Sequence, residues 1–283
     1  MVRKAVVAGT FYPRTPEALK EQIQHCFMHP LGPRKIPKVG TRRTIKGVIV
    51  PHAGYIYSGH VAAHCYAAIA ENGFPETFII LGPNHTGQGS GVALVTQGSW
   101  ETPLGEIPID KETAPQLVKG IIDKDEKAHQ FEHSIEVQLP FLQYFKDFTF
   151  IPISMALQDL QTAQEIGDIL GSITKDAIVI ASTDFSHVGS HYMQMPPRGI
   201  RVDEWAAEQD HFAIEKILTL NERDFMKTVM EKNISMCGYG CVTALLIAVK
   251  KWGATKARLL KYATSYDVTP GESCVGYGAL VIE

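Results

Sequence analysis

GVIVPHAGYIYSGH (residues 47–60) opens on three β-branched apolar residues, stops at Pro51, and places His52 directly beyond it, ahead of the small pair Ala53-Gly54. Successive side chains of a strand point to opposite faces, so an unbroken Val-Ile-Val run predicts a strand covered on both sides. Proline has no N–H to give to the ladder, so Pro51 ends the pairing and His52 leaves the sheet at the strand's carboxyl end. Ser58 then stands where a cap is expected for the periodic run SGHVAAHCYAAIAEN (58–72).

The same pattern recurs along the chain. KAVVAG (4–9), TFIILGP (77–83), FTFIPIS (148–154), AIVIAS (177–182), RLLKYATS (258–265) and GYGALVIE (276–283) are short apolar runs bounded by turn residues and predict further strands. Between them lie helical patterns. TPEALKEQIQHCFMH (15–29) begins with a threonine cap and a proline at the first helical position. KETAPQLVKGII (111–122), HSIEVQLPFLQYF (133–145), LQTAQEIGDILGSI (160–173), VDEWAAEQDHFAIEKIL (202–218) and GCVTALLIAVKKW (240–252) also have a 3.6-residue period. Strands alternating with helices predict an α/β fold: one domain over residues 1–283, with a central, mostly parallel mixed sheet flanked by helices on both faces. The turn-rich segment 92–110 reads as a hairpin-like excursion beside that sheet.

Composition excludes several classes of function. The 283 residues carry a formal net charge of −3, which gives no electrostatic reason to expect nucleic acid or an anionic membrane as partner. The one basic stretch, RKIPKVGTRR (34–43), is broken by proline and glycine and reads as a solvated linker. No apolar run approaches the roughly 18 residues that span a bilayer, and the first residues lack the apolar core of a signal peptide. Five cysteines, an odd number and widely spread, argue against a disulfide scaffold and for a cytoplasmic setting. Phosphate-binding glycine motifs and the G-x-S-x-G nucleophile elbow are absent from the sequence.

In open α/β sheets, ligands bind beyond the carboxyl ends of the strands. His52, His85 and His187 each follow such an end, so parallel strands would bring three imidazoles and Asp184 into one crevice. Imidazole with carboxylate suits a first-row transition metal. Cys237, in the glycine-rich turn MCGYG (236–240) before a helix, reads either as a soft ligand or reactive thiol, or as an inert buried cysteine. As a nucleophile it would be activated by His187 and Asp184. In EHSIEVQLPFL (132–142), His133 and Glu136 are three apart and share a helix face, so they either face the site or cap and pair at the surface. His25, His29, His60, His64, His191 and His211 lack the strand-end placement and read as structural.

PHAGYIYSG, ILGPNHTG, SWETPLGEI, EHSIEVQLPF, STDFSH and MCGYG, in this order, resemble the Memo family, also called AmmeMemoRadiSam system protein B; the early AGTFYP (8–13) is similar to its N-terminal element. The resemblance covers the chain from about residue 3 to its end and implies the fold of class III extradiol dioxygenases. It implies that His52 and His85 are metal ligands, that Cys237 takes the position of those enzymes' glutamate ligand, and that Asp184 and His187 form the acid–base loop. The implied cofactor is Fe(II) or copper, with zinc as a third option. The implied activity is that of a metal-dependent oxidoreductase on a small aromatic or phenolic group, with Phe11, Tyr12, Tyr55, Tyr239 and His133 around the substrate. The alternative is a peptide- or protein-binding module using the same cleft, with AMMECR-type and radical SAM proteins as partners.

Overall fold

A computed structural model describes residues 1–173 and 176–283. β1 (Val2–Arg3), α1 (Pro16–Met28), β2 (Gly47–Val50), α2 (His60–Asn72) and β3 (Thr77–Pro83) are followed by β4 (Val92–Leu94), β5 (Ser99–Thr102), β6 (Gly105–Pro108) and β7 (Asp123–Lys124). The chain continues through α3 (Leu139–Gln143), β8 (Thr149–Met155), α4 (Leu160–Gly171), β9 (Ala177–Ser182) and β10 (His187–Gly189). It ends with α5 (Val202–Leu218), α6 (Glu222–Glu231), α7 (Tyr239–Lys251), β11 (Ala257–Thr264) and β12 (Ser273–Ile282).

The main sheet runs β10-β12-β2-β9-β3-β8-β4-β7, with β11 also paired to β12. Parallel pairing holds the central quartet β2-β9-β3-β8 and the outlying pair β4-β7. β10, β11 and β2 meet β12 antiparallel, and β4 meets β8 antiparallel, so the sheet is parallel at its centre and antiparallel on its flanks. β2 and β3 are buried along their whole length, as their unbroken apolar runs require. From β2 the chain steps outward to β3 and β8, then returns through α4 to insert β9 between β2 and β3. The two crossovers run in opposite directions, so right-handedness places α2 and α4 on opposite faces. α1 packs on α2, and α7 packs on α4 and over β9 and β3. The reversal at β9 opens a crevice beyond the carboxyl ends of β2, β3 and β9. No helix of the described residues is long and apolar enough to cross a membrane.

Several local expectations are corrected. KAVVAG (4–9) is not a strand, because the N–H groups of Val6 and Val7 donate to the Glu136 carboxylate and not to a ladder. Segment 111–122 keeps only a 3-10 turn, Ala114–Leu117: the amides of Glu112 and Thr113 donate to Asp110, and Gly120 has φ 58°. Segment 133–145 splits into a 3-10 turn, Glu136–Gln138, and α3, which Pro140 enters in its first turn. Ser58 does not cap α2. It lies in a π-helical turn, Tyr55–Gly59, and its hydroxyl donates to the Ala53 carbonyl. α6 adds a helix to those expected, capped by Asn221 and buried through Phe225, Met226 and Val229. In 92–110, β5 and β6 form the expected hairpin, which pairs with β1 in a separate small sheet, while β4 joins the main sheet.

Two glycines of GYG (276–278) admit neighbours that no side chain would allow. A Cβ at Gly278 would lie 2.6 Å from the Phe185 ring, and one at Gly276 would lie 1.9 Å from Asp210 Oδ2. Phe185 is fully buried and cannot yield. Gly278→Ala should therefore destabilise by about 1–3 kcal/mol, seen as a lower urea midpoint with an unchanged slope. An unchanged midpoint would contradict this packing.

Candidate metal centre

His52 leaves β2 into the crevice and is almost fully buried. Its backbone N–H donates to Asp184 Oδ1 at 2.8 Å, and its Nδ1 lies 2.9 Å from Ser182 Oγ. A chain of buried groups fixes the proton on that nitrogen. The Tyr66 hydroxyl donates to Gln138 Oε1, which turns Gln138 Nε2 to donate to Ser182 Oγ at 2.7 Å. The Ser182 hydroxyl spends its one proton on the Ser134 carbonyl at 2.6 Å. Ser182 Oγ can then only accept from His52, so Nδ1 carries the hydrogen and Nε2 presents a bare lone pair. Burial first, then the neighbouring imidazoles of His85, His133 and His187, hold His52 well below its ordinary pKa, so the ring is neutral.

His85 follows β3, and one buried carboxylate orients it. Glu132 accepts from the His85 backbone N–H at 2.5 Å and faces His85 Nδ1 at 3.0 Å. It also accepts from the N–H groups of His133 and Ser134. Burial pushes the Glu132 carboxyl up, but the hydrogen bond and charge of His85, with the Ser134 amide and His133, outweigh it and bring the pKa down to about 2. The carboxylate takes the Nδ1 hydrogen, which makes Nε2 the donor atom of the neutral ring; a carboxylate behind an imidazole commonly supports a metal ligand in this way. Because its folded pKa lies below the ordinary 4.5, Glu132 contributes stability above pH 4.5 that is lost as pH falls through about 2. The loss is on the order of 3 kcal/mol. Glu132→Gln should flatten the fall in unfolding free energy across that window; a slope equal to that of the unmutated protein would contradict this.

His133 completes a triangle. His52, His85 and His133 each offer a nitrogen, and the three lie within 4.8 Å of one another. Their ring centroids are 5.2 Å apart for His52–His85, 5.5 Å for His52–His133 and 4.8 Å for His85–His133. Imidazoles on one tetrahedral ion, each nitrogen about 2.1 Å from it, would have centroids about 5 Å apart. The group could hold a metal ion.

Cys237 lies outside that triangle but touches it: its Sγ is 3.2 Å from His52 Nε2. The Asp184 N–H donates to the same sulfur at 3.1 Å. Gly238 lets the turn approach, since a Cβ there would lie 2.7 Å from the Ser182 carbonyl oxygen. Burial of the sulfur, then the Asp184 carboxylate, push the thiol up, opposite to the activation expected at a helix start. The imidazole beside Cys237 is His52 and not His187, which also removes the geometry expected for a His187-activated nucleophile. His187 is held from behind: its Nδ1 lies 2.9 Å from the Ser235 carbonyl, which can only accept, so Nδ1 carries a hydrogen. Burial raises the Asp184 carboxyl, while His187 and the backbone amides of His52 and Ala53 oppose the rise.

These groups open onto a cleft of about 620 Å³ lined by His52, His85, His133, Asp184 and His187. Of the aromatic walls expected, Phe11 lines the cleft and packs on His133, with centroids 4.6 Å apart. Tyr12 and Tyr55 do not. Both are buried, and their hydroxyls donate to Glu136 and to the Val137 carbonyl. Tyr239 begins α7 and is not part of the lining. Tyr57 also lines the cleft, and Tyr192 and Tyr277, which sequence reasoning missed, complete its aromatic walls. Among the remaining histidines, His191 joins the lining, while His60 is buried against His29. Glu136 parts from His133 and turns to Arg3 and Tyr12.

A family profile described as Memo-like protein matches residues 3–281. A MEMO1 family protein of Methanopyrus kandleri is 48% identical over 291 residues, covering 99% of both chains. Another, of Methanothermobacter thermautotrophicus, is 48% identical over 288 residues, covering 99% of this chain and 100% of that protein. A third, of Sulfurisphaera tokodaii, is 45% identical over 290 residues and 98% of each. Among solved structures, an uncharacterized protein of Escherichia coli K12 superposes with a TM-score of 0.55 over 84% of this chain and 99% of that one, at 13% identity, a likeness of fold alone.

Proposed function

The chain belongs to the Memo-like family, and we propose that it holds a redox-active transition-metal ion between His52, His85 and Cys237, for chemistry on a small aromatic or phenolic group. The observation that carries this reading is the orientation of two imidazoles, whose Nδ1 atoms face Ser182 and Glu132. Ser182 and Glu132 take the Nδ1 hydrogens of His52 and His85 and leave Nε2 as the donor atom of each neutral ring in one crevice. Imidazole and thiolate donors suit such an ion, and the Asp184 N–H already points at the Cys237 sulfur. His133 lines the same cleft, its ring 4.8 Å from that of His85 between centroids. Iron(II) or copper would supply Lewis acidity and a one-electron couple there, with zinc restricted to the former.

The protein's own groups divide the remaining work. His187 presents Nε2 to the cleft and can accept or return a proton from a phenolic hydroxyl, with the Asp184 carboxylate beside it. Phe11, Tyr57 and Tyr192 would hold a flat ring and displace water. Glu132→Gln should weaken metal binding about 10–100-fold by loosening His85. Protein purified without chelators should contain close to one equivalent of iron or copper, or take it up on anaerobic titration. Less than about a tenth of an equivalent, with no uptake, would overturn the reading.

One observation favours a second reading, a peptide- or protein-binding module using the same cleft. Ile56, Met193 and Met195 are 61%, 92% and 67% exposed, next to the cleft residues Tyr57 and Tyr192. Exposed apolar residues close in sequence to the cleft walls suit an apolar partner. Capture of one defined partner that survives His52→Ala and His85→Ala would support this reading over the first.

A further inference from the structure

We propose that Asp210, on α5 and outside the cleft lining, is the positioning residue that fixes the loop carrying Asp184 and His187. The proposal deepens the acid–base role given to His187 above and rests on it.

Five consecutive backbone N–H groups of this loop are held by four different parts of the fold. Thr183 N–H donates to Val50 in β2, Asp184 N–H to the Cys237 sulfur, and Phe185 N–H to Gly276 in β12. Ser186 N–H donates to Asp210 Oδ1 at 2.8 Å, and His187 N–H to Ser235 Oγ at 2.8 Å. Four of these acceptors are carbonyls, a hydroxyl or the site's own sulfur. The fifth is a carboxylate with no solvent exposure at all. Its other oxygen takes the Tyr262 hydroxyl from β11 at 2.7 Å. A buried carboxylate is costly, and a neutral acceptor would satisfy one amide. Burial pushes the Asp210 carboxyl up to about 6 against its hydrogen bonds from Ser186 and Tyr262.

The sheet is shaped around this carboxylate. Gly276 leaves the space that Oδ2 fills, and the Gly276 N–H donates to the Ser186 carbonyl at 2.9 Å. Ser186 is thus gripped on both sides of its peptide unit, by α5 through Asp210 and by β12 through Gly276. His187 is the next residue. The direction in which its ring leaves the backbone, and so the meeting of Nδ1 with the Ser235 carbonyl, follows from that grip. Asp210 therefore acts on the site through Ser186 and touches neither substrate nor metal donor.

The test is the His187 ring itself, read by nitrogen-15 NMR of the metal-free protein across pH. In the unmutated protein the neutral ring should be the Nδ1–H tautomer. In Asp210→Ala it should become a mixture of tautomers. Asp210→Asn keeps an acceptor for the Ser186 amide and should restore the Nδ1–H form, a rescue that a bulk stability effect would not produce. If Asp210→Ala does not fold, Tyr262→Phe takes its place, since it frees one carboxylate oxygen and should likewise mix the His187 tautomers. An unchanged tautomer in folded Asp210→Ala, or in Tyr262→Phe where that variant stands in, overturns the proposal. Because the readout needs no metal, failure of metal uptake would count against the metal centre alone.

Discussion

Glu136→Ala should cost about 3–5 kcal/mol of folding free energy, the range for removing one partner of a buried ion pair. The Glu136 side chain is fully buried and Arg3 nearly so, at 0% and 11% exposure, with 2.7 Å between Nη1 and Oε2. Glu136 also accepts from the Tyr12 hydroxyl at 2.6 Å and from the amides of Val6 and Val7 at 3.0–3.1 Å. Alanine would strand a guanidinium, a phenol and two amides at once. Arg3 has two further bonds at stake, to the carbonyls of His129 and Glu132, and stacks 4.0 Å over Trp100. Arg3→Ala should therefore fall in the same range, and the double replacement Arg3→Met with Glu136→Leu should recover part of the loss. Urea unfolding checks this. A loss under about 1 kcal/mol for Glu136→Ala would show that residues 2–12 are not tied down as described. The same variant should free Phe11, whose backbone carbonyl is held by the Tyr55 amide and whose ring packs on His133.

His85→Ala should weaken metal binding at least a thousandfold, about 4 kcal/mol. The variant removes a donor and leaves the Glu132 carboxylate facing a cavity. His52→Ala should do the same and, in addition, free the Cys237 sulfur of its imidazole neighbour. His64→Ala is the control, because His64 Nε2 is engaged by the Leu31 carbonyl away from the cleft. Competition with a chelator of known affinity reads all three. Retention of affinity within about tenfold in His85→Ala would mean that the ion sits elsewhere.

Strand ends were the legible part of this protein. The run GVIV, the proline after it and the histidine beyond are local features, and the same logic placed His85 and Asp184 at one crevice. Whatever depended on distant partners was not legible. His133 and Glu136 were expected on one helix face, but the chain there is a turn followed by 3-10 structure, so His133 joins His52 and His85 while Glu136 serves Arg3 and Tyr12. The partner of the Tyr12 hydroxyl lies 124 residues away, and that of Tyr55 lies 82 residues away, so no local pattern could remove either from the cleft wall. The pairing of strands β4, β10 and β12 was likewise decided by partners across the sheet, which is why the parallel centre was easier to read than its antiparallel flanks. Within α5, Asp210 sits on a helix whose limits were clear from its period, yet only the glycine across the sheet reveals what its carboxylate holds.

The central claim is that His52 and His85 hold a transition metal. Anomalous diffraction at the metal edge, from crystals loaded anaerobically with Fe(II), tests it most directly. The expected result is a single strong peak about 2.1 Å from the Nε2 atoms of His52 and His85, with the Cys237 sulfur about 2.3 Å away. A peak bound through other residues, or none at full loading, would contradict it.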